Sequence, residues 1–129
     1  MLNAKEWGWF QTIYTDARLE VVQISVLPGG FSSIHRHLHK SNEFWPGQNV
    51  IELTVYDDDE LRHSRRYNLT PGDEPFVIPA GQWHSFTAPQ GIIACEVYRA
   101  DPGKIIDPRD IERRNKGGLL SGIHNPPRG

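Results

Sequence analysis

Apolar and polar residues alternate along much of this chain. From Glu20 to Pro28, Val22, Ile24 and Val26 recur at every second position, and Pro28-Gly29-Gly30 ends the run. A period of two is the signature of a strand with one buried face. The pattern returns at Asn49–Tyr56, where Ile51, Leu53 and Val55 share a side. Further extended stretches are predicted at Ser32–His39, Leu61–Leu69, Pro75–Pro79, Trp83–Thr87 and Ile92–Arg99. Pro46-Gly47, Asp57-Asp58-Asp59, Thr70-Pro71-Gly72-Asp73 and Pro79-Ala80-Gly81 punctuate them as turns. Short strands with Gly/Pro turns between them predict an all-β sandwich or barrel. The triple aspartate lacks the glycine and distal glutamate of a calcium loop, so it reads as a polar turn.

The C-terminal part breaks the alternation. Asp107 suits an N-cap, Pro108 the first helical position and Asp110 the first turn, and Gly117-Gly118 is a stop signal. A short helix over Pro108–Asn115 is therefore expected, followed by an irregular tail from Ser121 to Gly129. The organisation predicted is a barrel over residues 1–102 and an extension over 103–129.

Composition narrows the partners. The 129 residues suffice for one domain with a real core. The net charge of −2 and pI near 6.3 argue against a nucleic-acid or acidic-membrane partner. One cysteine, Cys95, cannot form an internal disulfide, and it sits in an apolar run with no basic neighbour, so a small buried thiol is expected. No apolar leader opens the chain and no apolar run would span a bilayer, so a cytoplasmic location is expected.

Candidate chemistry lies in the histidines. His35-Arg36-His37-Leu38-His39 places three imidazoles at every second position, hence on one face of an extended segment. His84 follows Pro79-Ala80-Gly81 and can enter the same spot from a second strand. Together they read as a metal site. His63 and His124 fit no pattern.

Motif spacing refines this. Gly29, five residues, then His35-Arg36-His37 resembles the first motif of the cupin superfamily, whose fold is a small jelly-roll barrel, the double-stranded β-helix. Gly72-Asp73 followed by Pro79-x-Gly81-x-x-His84 resembles the second motif, with one extra residue before Pro79. The resemblance covers about Trp7 to Arg99. It implies a divalent metal held by His35, His37 and His84, with iron, manganese, nickel and zinc all open. The motif's glutamate falls on Asn42 when counted from His37, and on Glu43 when counted from the pair His37 and His39. Asn49 stands at the later glycine position, which favours the register with Asn42. Asn42, Glu43 and His39 thus compete for the next ligand position.

Three segments are similar to the cupin domain of the mannose-1-phosphate guanylyltransferase / type II phosphomannose isomerase group. They are Trp7-Gly8-Trp9-Phe10, Pro28-Gly29-Gly30 with Ser33-Ile34, and Glu96-Val97-Tyr98 with Asp110-Ile111. That group has Gln where His35 stands and Glu where Asn42 stands, so its activity does not carry over. The resemblance implies a small polar ligand, a sugar or sugar phosphate, and a homodimer. The Trp7/Trp9 segment is read as core or dimer packing, with ligand stacking as the rival.

Glu96 and Tyr98 share a strand face. If it looks inward, Glu96 can act as a general base beside the metal, with Glu43 as the other proton-moving carboxylate. Tyr98 and Lys40 would then contact substrate, Lys40 through an anionic group. Arg36 alternates with the histidines and should face outward. The functions in competition are a metal-dependent isomerase or epimerase, a non-haem iron dioxygenase, a non-catalytic sugar- or metabolite-binding cupin, and a structural barrel with an empty site.

Overall fold

The computed structural model describes residues 2–120. Thirteen strands follow one another among them: β1 (Leu2–Lys5), β2 (Gly8–Thr15), β3 (Leu19–Val26), β4 (Gly30–Phe31), β5 (His35–Arg36), β6 (Lys40–Trp45), β7 (Ile51–Tyr56), β8 (Ser64–Leu69), β9 (Phe76–Ile78), β10 (His84–Ala88), β11 (Ile92–Ala100), β12 (Glu112–Arg113) and β13 (Gly118–Leu119). All pairings are antiparallel. One sheet runs β1-β2-β3-β11-β6-β9. In the other, β10 pairs with β7 on one edge, and β7 with β8; on its opposite edge β10 pairs with both β4 and β5. This is an all-β jelly-roll barrel, as the alternation predicts.

The alternating residues point where period two sends them. Val22, Ile24 and Val26 are buried and lie opposite Glu96, Ala94 and Ile92 of β11. Ile51, Leu53, Phe86 and Ala88 of the second sheet close on them. Each Val, Ile, Leu or Phe side chain among them contributes about 1.5–3 kcal/mol by leaving water. Trp7 packs edge-on against Phe86 at 5.2 Å between ring centroids. That settles Trp7 as a core residue, while Trp9 points out and is 39% exposed.

Of the expected strand Ser32–His39 only β5 (His35–Arg36) forms, and Ser32 and Ser33 lie between it and β4. Ser32 Oγ accepts from the Phe86 amide (2.9 Å), and the Ser32 amide donates to the Phe86 carbonyl (2.9 Å). A side chain has thus entered the ladder where a backbone group is expected. Gly30 fits the tight approach beside it: a Cβ there would lie 2.6 Å from Val26 Cγ1 and 2.8 Å from the Trp7 carbonyl.

The expected helix over Pro108–Asn115 does not form. Asp107 does cap, accepting the Arg109 amide at Oδ1 (2.9 Å), but only a turn follows. An eight-residue helix gains little in isolation. The open edges of β5 and β4 offer more, so residues 112–113 and 118–119 pair with them as β12 and β13. Gly117 and Gly118, expected as a helix stop, instead let the chain pass closely over Phe31, where a Cβ on Gly117 would meet its carbonyl at 2.5 Å. The C-terminal segment is therefore a strap laid along the second sheet. The tail expected from Ser121, and His124 within it, lie outside the described residues. No helix among the described residues is long and apolar enough to cross a membrane.

A candidate metal centre in the barrel

His35, His37 and His84 converge inside the barrel. One ring nitrogen from each lies within 4.8 Å of the others, and all three residues are buried. His35 on β5 sits opposite His84 on β10 in the ladder, which brings their rings to 4.4 Å. His37 follows β5, where Gly81 ties the two motifs together by donating its amide to the His37 carbonyl (2.6 Å). Gly81 makes this turn with φ +88°, a backbone open to glycine.

Each ring is oriented from behind. His35 Nδ1 faces the Ser33 carbonyl at 2.8 Å, His37 Nδ1 the Asp110 carbonyl at 2.8 Å, and His84 Nδ1 the Gln82 carbonyl at 2.9 Å. A carbonyl only accepts, so each Nδ1 carries the proton and each Nε2 keeps a lone pair. The Nε2 atoms of His37 and His84 are buried without a hydrogen-bond partner. Burial holds His37 and His84 neutral, with pKa values lowered to about 4. His35 is driven well below its usual range by burial, then by the neighbouring His84 and His37. Neutral imidazoles with fixed tautomers and convergent lone pairs are what a metal requires, so these three could hold an ion.

Asn42 lies inside the barrel. It is 1% exposed on β6, opposite Tyr98 of β11. Its amide lies close enough to Glu96 to favour the charged carboxylate, yet neither amide atom reaches a partner in hydrogen-bond geometry.

Glu43 does not join the histidines, contrary to the expectation that it completes the ligand set or moves a proton. Period two on β6 turns it to the outer face between inward Asn42 and Phe44. There it accepts from Arg99 Nε (3.1 Å) and Trp45 Nε1 (3.2 Å). His39 does not join them either. The strand ends at Arg36, so period two no longer governs, and His39 is exposed in the bend before β6. Cys95 is half-buried on β11 rather than fully buried. His63, which fits no motif, is exposed.

His35 and His37 line a cavity of about 400 Å³, and His84 stands behind them. Glu96 and Tyr98 line it, and Tyr98 Oη donates to Glu96 Oε1 (2.7 Å). Burial raises the Glu96 pKa, while the Tyr98 hydroxyl and the Asn42 amide oppose the rise. Lys40, 5% exposed, also lines the cavity. Its Nζ lies 4.7 Å from the Tyr98 ring centroid and donates to the Asp107 carbonyl (3.3 Å). Burial lowers its pKa, and Glu20, Asp110, Asp107 and Glu96 pull it back up.

Arg36 faces outward, but it is more than solvated. Its guanidinium stacks 4.6 Å from the Trp83 ring, and Arg114 of the strap covers the same ring at 4.4 Å. Arg36 also pairs with Glu112 at 2.9 Å. The strap's role at the site is absent from the sequence reading. Only the likeness of Asp110-Ile111 to part of the guanylyltransferase/isomerase cupin domain pointed towards it.

No family model matches the chain. In sequence it is similar to a mannose-1-phosphate guanylyltransferase of Sinorhizobium fredii, 27% identical over 109 residues, 84% of this chain and 20% of that protein. It is also similar to mannose-1-phosphate guanylyltransferase 2 of Escherichia coli O157:H7, 27% identical over 112 residues, 87% of this chain and 21% of that protein. The chain thus spans about a fifth of the length of these relatives. Among solved structures it resembles oxalate decarboxylase from Bacillus subtilis, with a TM-score of 0.71 and 16% identity over 88% of this chain and 30% of that one. It resembles equally the capsular polysaccharide assembling protein CapF from Staphylococcus aureus, with a TM-score of 0.72 and 18% identity over 88% of this chain and 31% of that one. The barrel is the cupin double-stranded β-helix, and in sequence the chain resembles part of the mannose-1-phosphate guanylyltransferases.

Proposed function

We propose that this protein is a metal-dependent cupin acting on a small hydroxylated molecule, a sugar or sugar phosphate, as an isomerase or epimerase. One observation carries the reading: three neutral histidines converge, and two of them line a cavity that also holds the Glu96–Tyr98 pair. The names of the sequence relatives and of CapF, which concern mannose 1-phosphate and capsular polysaccharide, support a sugar-like ligand. A second CapF structure contains a small-molecule inhibitor, 3-isopropenyl-tropolone.

His35, His37 and His84 would hold the ion, with the Asn42 oxygen as a further neutral donor. Once bound, a divalent metal would polarise a carbonyl or hydroxyl oxygen. Glu96 is the group that takes and returns a proton, because its raised pKa suits both roles. Tyr98 orients that carboxyl through its 2.7 Å hydrogen bond. Lys40 keeps N–H groups beyond its single contact to Asp107 and turns them to substrate oxygens.

Asn42 favours a second reading, a cupin that binds such a molecule without turning it over, since a neutral amide stands where the cupin motif places a carboxylate. A three-histidine centre would also serve an iron dioxygenase, and oxygen uptake after iron loading separates that case. A homodimer is supported by exposed Trp9, Trp45, Val77 and Ile93. A cytoplasmic location rests on the single thiol.

Elemental analysis of untagged protein tests the reading. About one divalent metal per chain is expected, lost in His84→Ala and in His35→Ala. Metal-free wild type, or full retention in both folded variants, overturns it.

A further inference from the structure

The strap also brings charge to the cavity. β12 pairs with β5 so that Arg113 lies directly opposite His35, and Glu112 opposite Arg36. Cross-strand partners project to the same face. Arg36 and Glu112 form an ion pair on the outer side, while Arg113 turns with His35 to the cavity. Among the described residues Arg113 has neither an ion pair nor a side-chain hydrogen bond, and the same holds for Lys116 and Lys5, which line the same cavity. Glu6 is the acid nearest Lys5 in the chain, and it forms no ion pair with it. The inner cation, Lys40, faces acids of its own, Glu20 and Glu96. Lys5 Nζ lies 5.5 Å from the Phe10 ring centroid, but among the described residues Arg113, Lys116 and Lys5 have no anionic partner.

We propose that Arg113, with Lys116 and Lys5, is the recognition site for an oxyanion at one end of the substrate, a phosphate monoester or a carboxylate. This rests on the reading of the cavity as a sugar site and narrows it to an anionic sugar. A guanidinium meets either oxyanion with two parallel hydrogen bonds, and the ammonium groups add point charge. The neutral, hydroxylated end of the molecule then reaches the histidines and Glu96.

Binding of a hexose, its 6-phosphate and its uronate to the full chain, by calorimetry, tests this, with inorganic phosphate as a fourth probe. At least one anionic sugar should bind tighter than the neutral hexose. The stronger of the two identifies the oxyanion. Arg113→Ala should weaken that sugar about tenfold or more, the loss of a charged hydrogen-bond pair, and leave the hexose and the metal content unchanged. Because Arg113 is exposed, the variant should fold; a far-ultraviolet circular dichroism spectrum checks it, and Lys116→Ala offers a second probe. Equal binding of neutral and anionic sugars, or anion affinity untouched by both variants, overturns the proposal. If inorganic phosphate binds in an Arg113-dependent way while no sugar does, the oxyanion site stands and the sugar reading falls.

Discussion

His37 Nδ1 donates to the main-chain carbonyl of Asp110 across 2.8 Å, so the strap orients one member of the histidine cluster. The side chain of the same aspartate accepts the amides of Leu38 (2.8 Å) and His39 (2.9 Å). One residue of the strap therefore holds the ring and the bend that carries it. Asp110→Ala keeps the carbonyl but frees the bend. Metal affinity, read by chelator competition, should fall about 10- to 100-fold, the usual cost of losing an outer partner of a ligand. Unchanged affinity would mean that the strap lies over the centre without supporting it.

The buried histidines set a pH dependence for the metal-free protein. His37 and His84 fall to about 4 when folded, against an ordinary value of 6.5. Between those values the unfolded chain binds more protons, so stability rises with pH across this window and is lost as pH falls towards 4. Each group contributes a slope of at most about 1.4 kcal/mol per pH unit. Urea unfolding at pH 4.5 and 6.5 should show the loss. His84→Gln should flatten the slope, and an equally steep slope in that variant would contradict the assignment.

Glu96 acts with the opposite sign. Its folded pKa is raised by burial, so its contribution is present below the unfolded value and is lost as pH rises through the folded one. Glu96→Gln should therefore gain stability relative to wild type as pH rises. Metal content should be unchanged, and any isomerase turnover should drop about 10²- to 10⁴-fold. Retained turnover would move the proton-transfer role elsewhere.

Trp83 is held between Arg36 and Arg114, and its Nε1 donates to Asp59 (3.1 Å). Arg114 Nη2 also donates to the Asp59 carbonyl (2.7 Å). This stack fastens the strap to the barrel. Arg114→Ala should cost about 0.5–1 kcal/mol for the lost stack alone. Limited proteolysis should then cut the strap faster than the barrel strands. Cleavage at the wild-type rate would show that β12 pairing is sufficient.

The legible part of the fold is where period two meets apolar residues. β3, β7 and β11 stand near the expected ends because Val22, Ile24, Val26, Ile51, Leu53, Val55, Ile92 and Ala94 alternate inward along them. β6 was hidden for a physical reason: its inward residues include polar Lys40 and Asn42, so the apolar alternation is lost. β1 is a sheet edge, and both it and its neighbour β2 carry little apolar contrast. The histidines were readable from motif spacing, which through Asn49 also favoured Asn42, whereas the outward turn of Glu43 needed the pleat. The strap was misread because its cap and proline signals are local, while the sheet edges that capture it are remote in sequence.

The amide of Asn42 is buried with neither atom hydrogen-bonded. Each such orphan forfeits about 1–3 kcal/mol, which an apolar residue of similar size would not. A library of this protein sorted for heat resistance alone should therefore enrich leucine or methionine at position 42. Such a sort would retain the barrel and discard a polar group buried inside it. Improving robustness here and preserving chemistry are opposed selections acting on one codon.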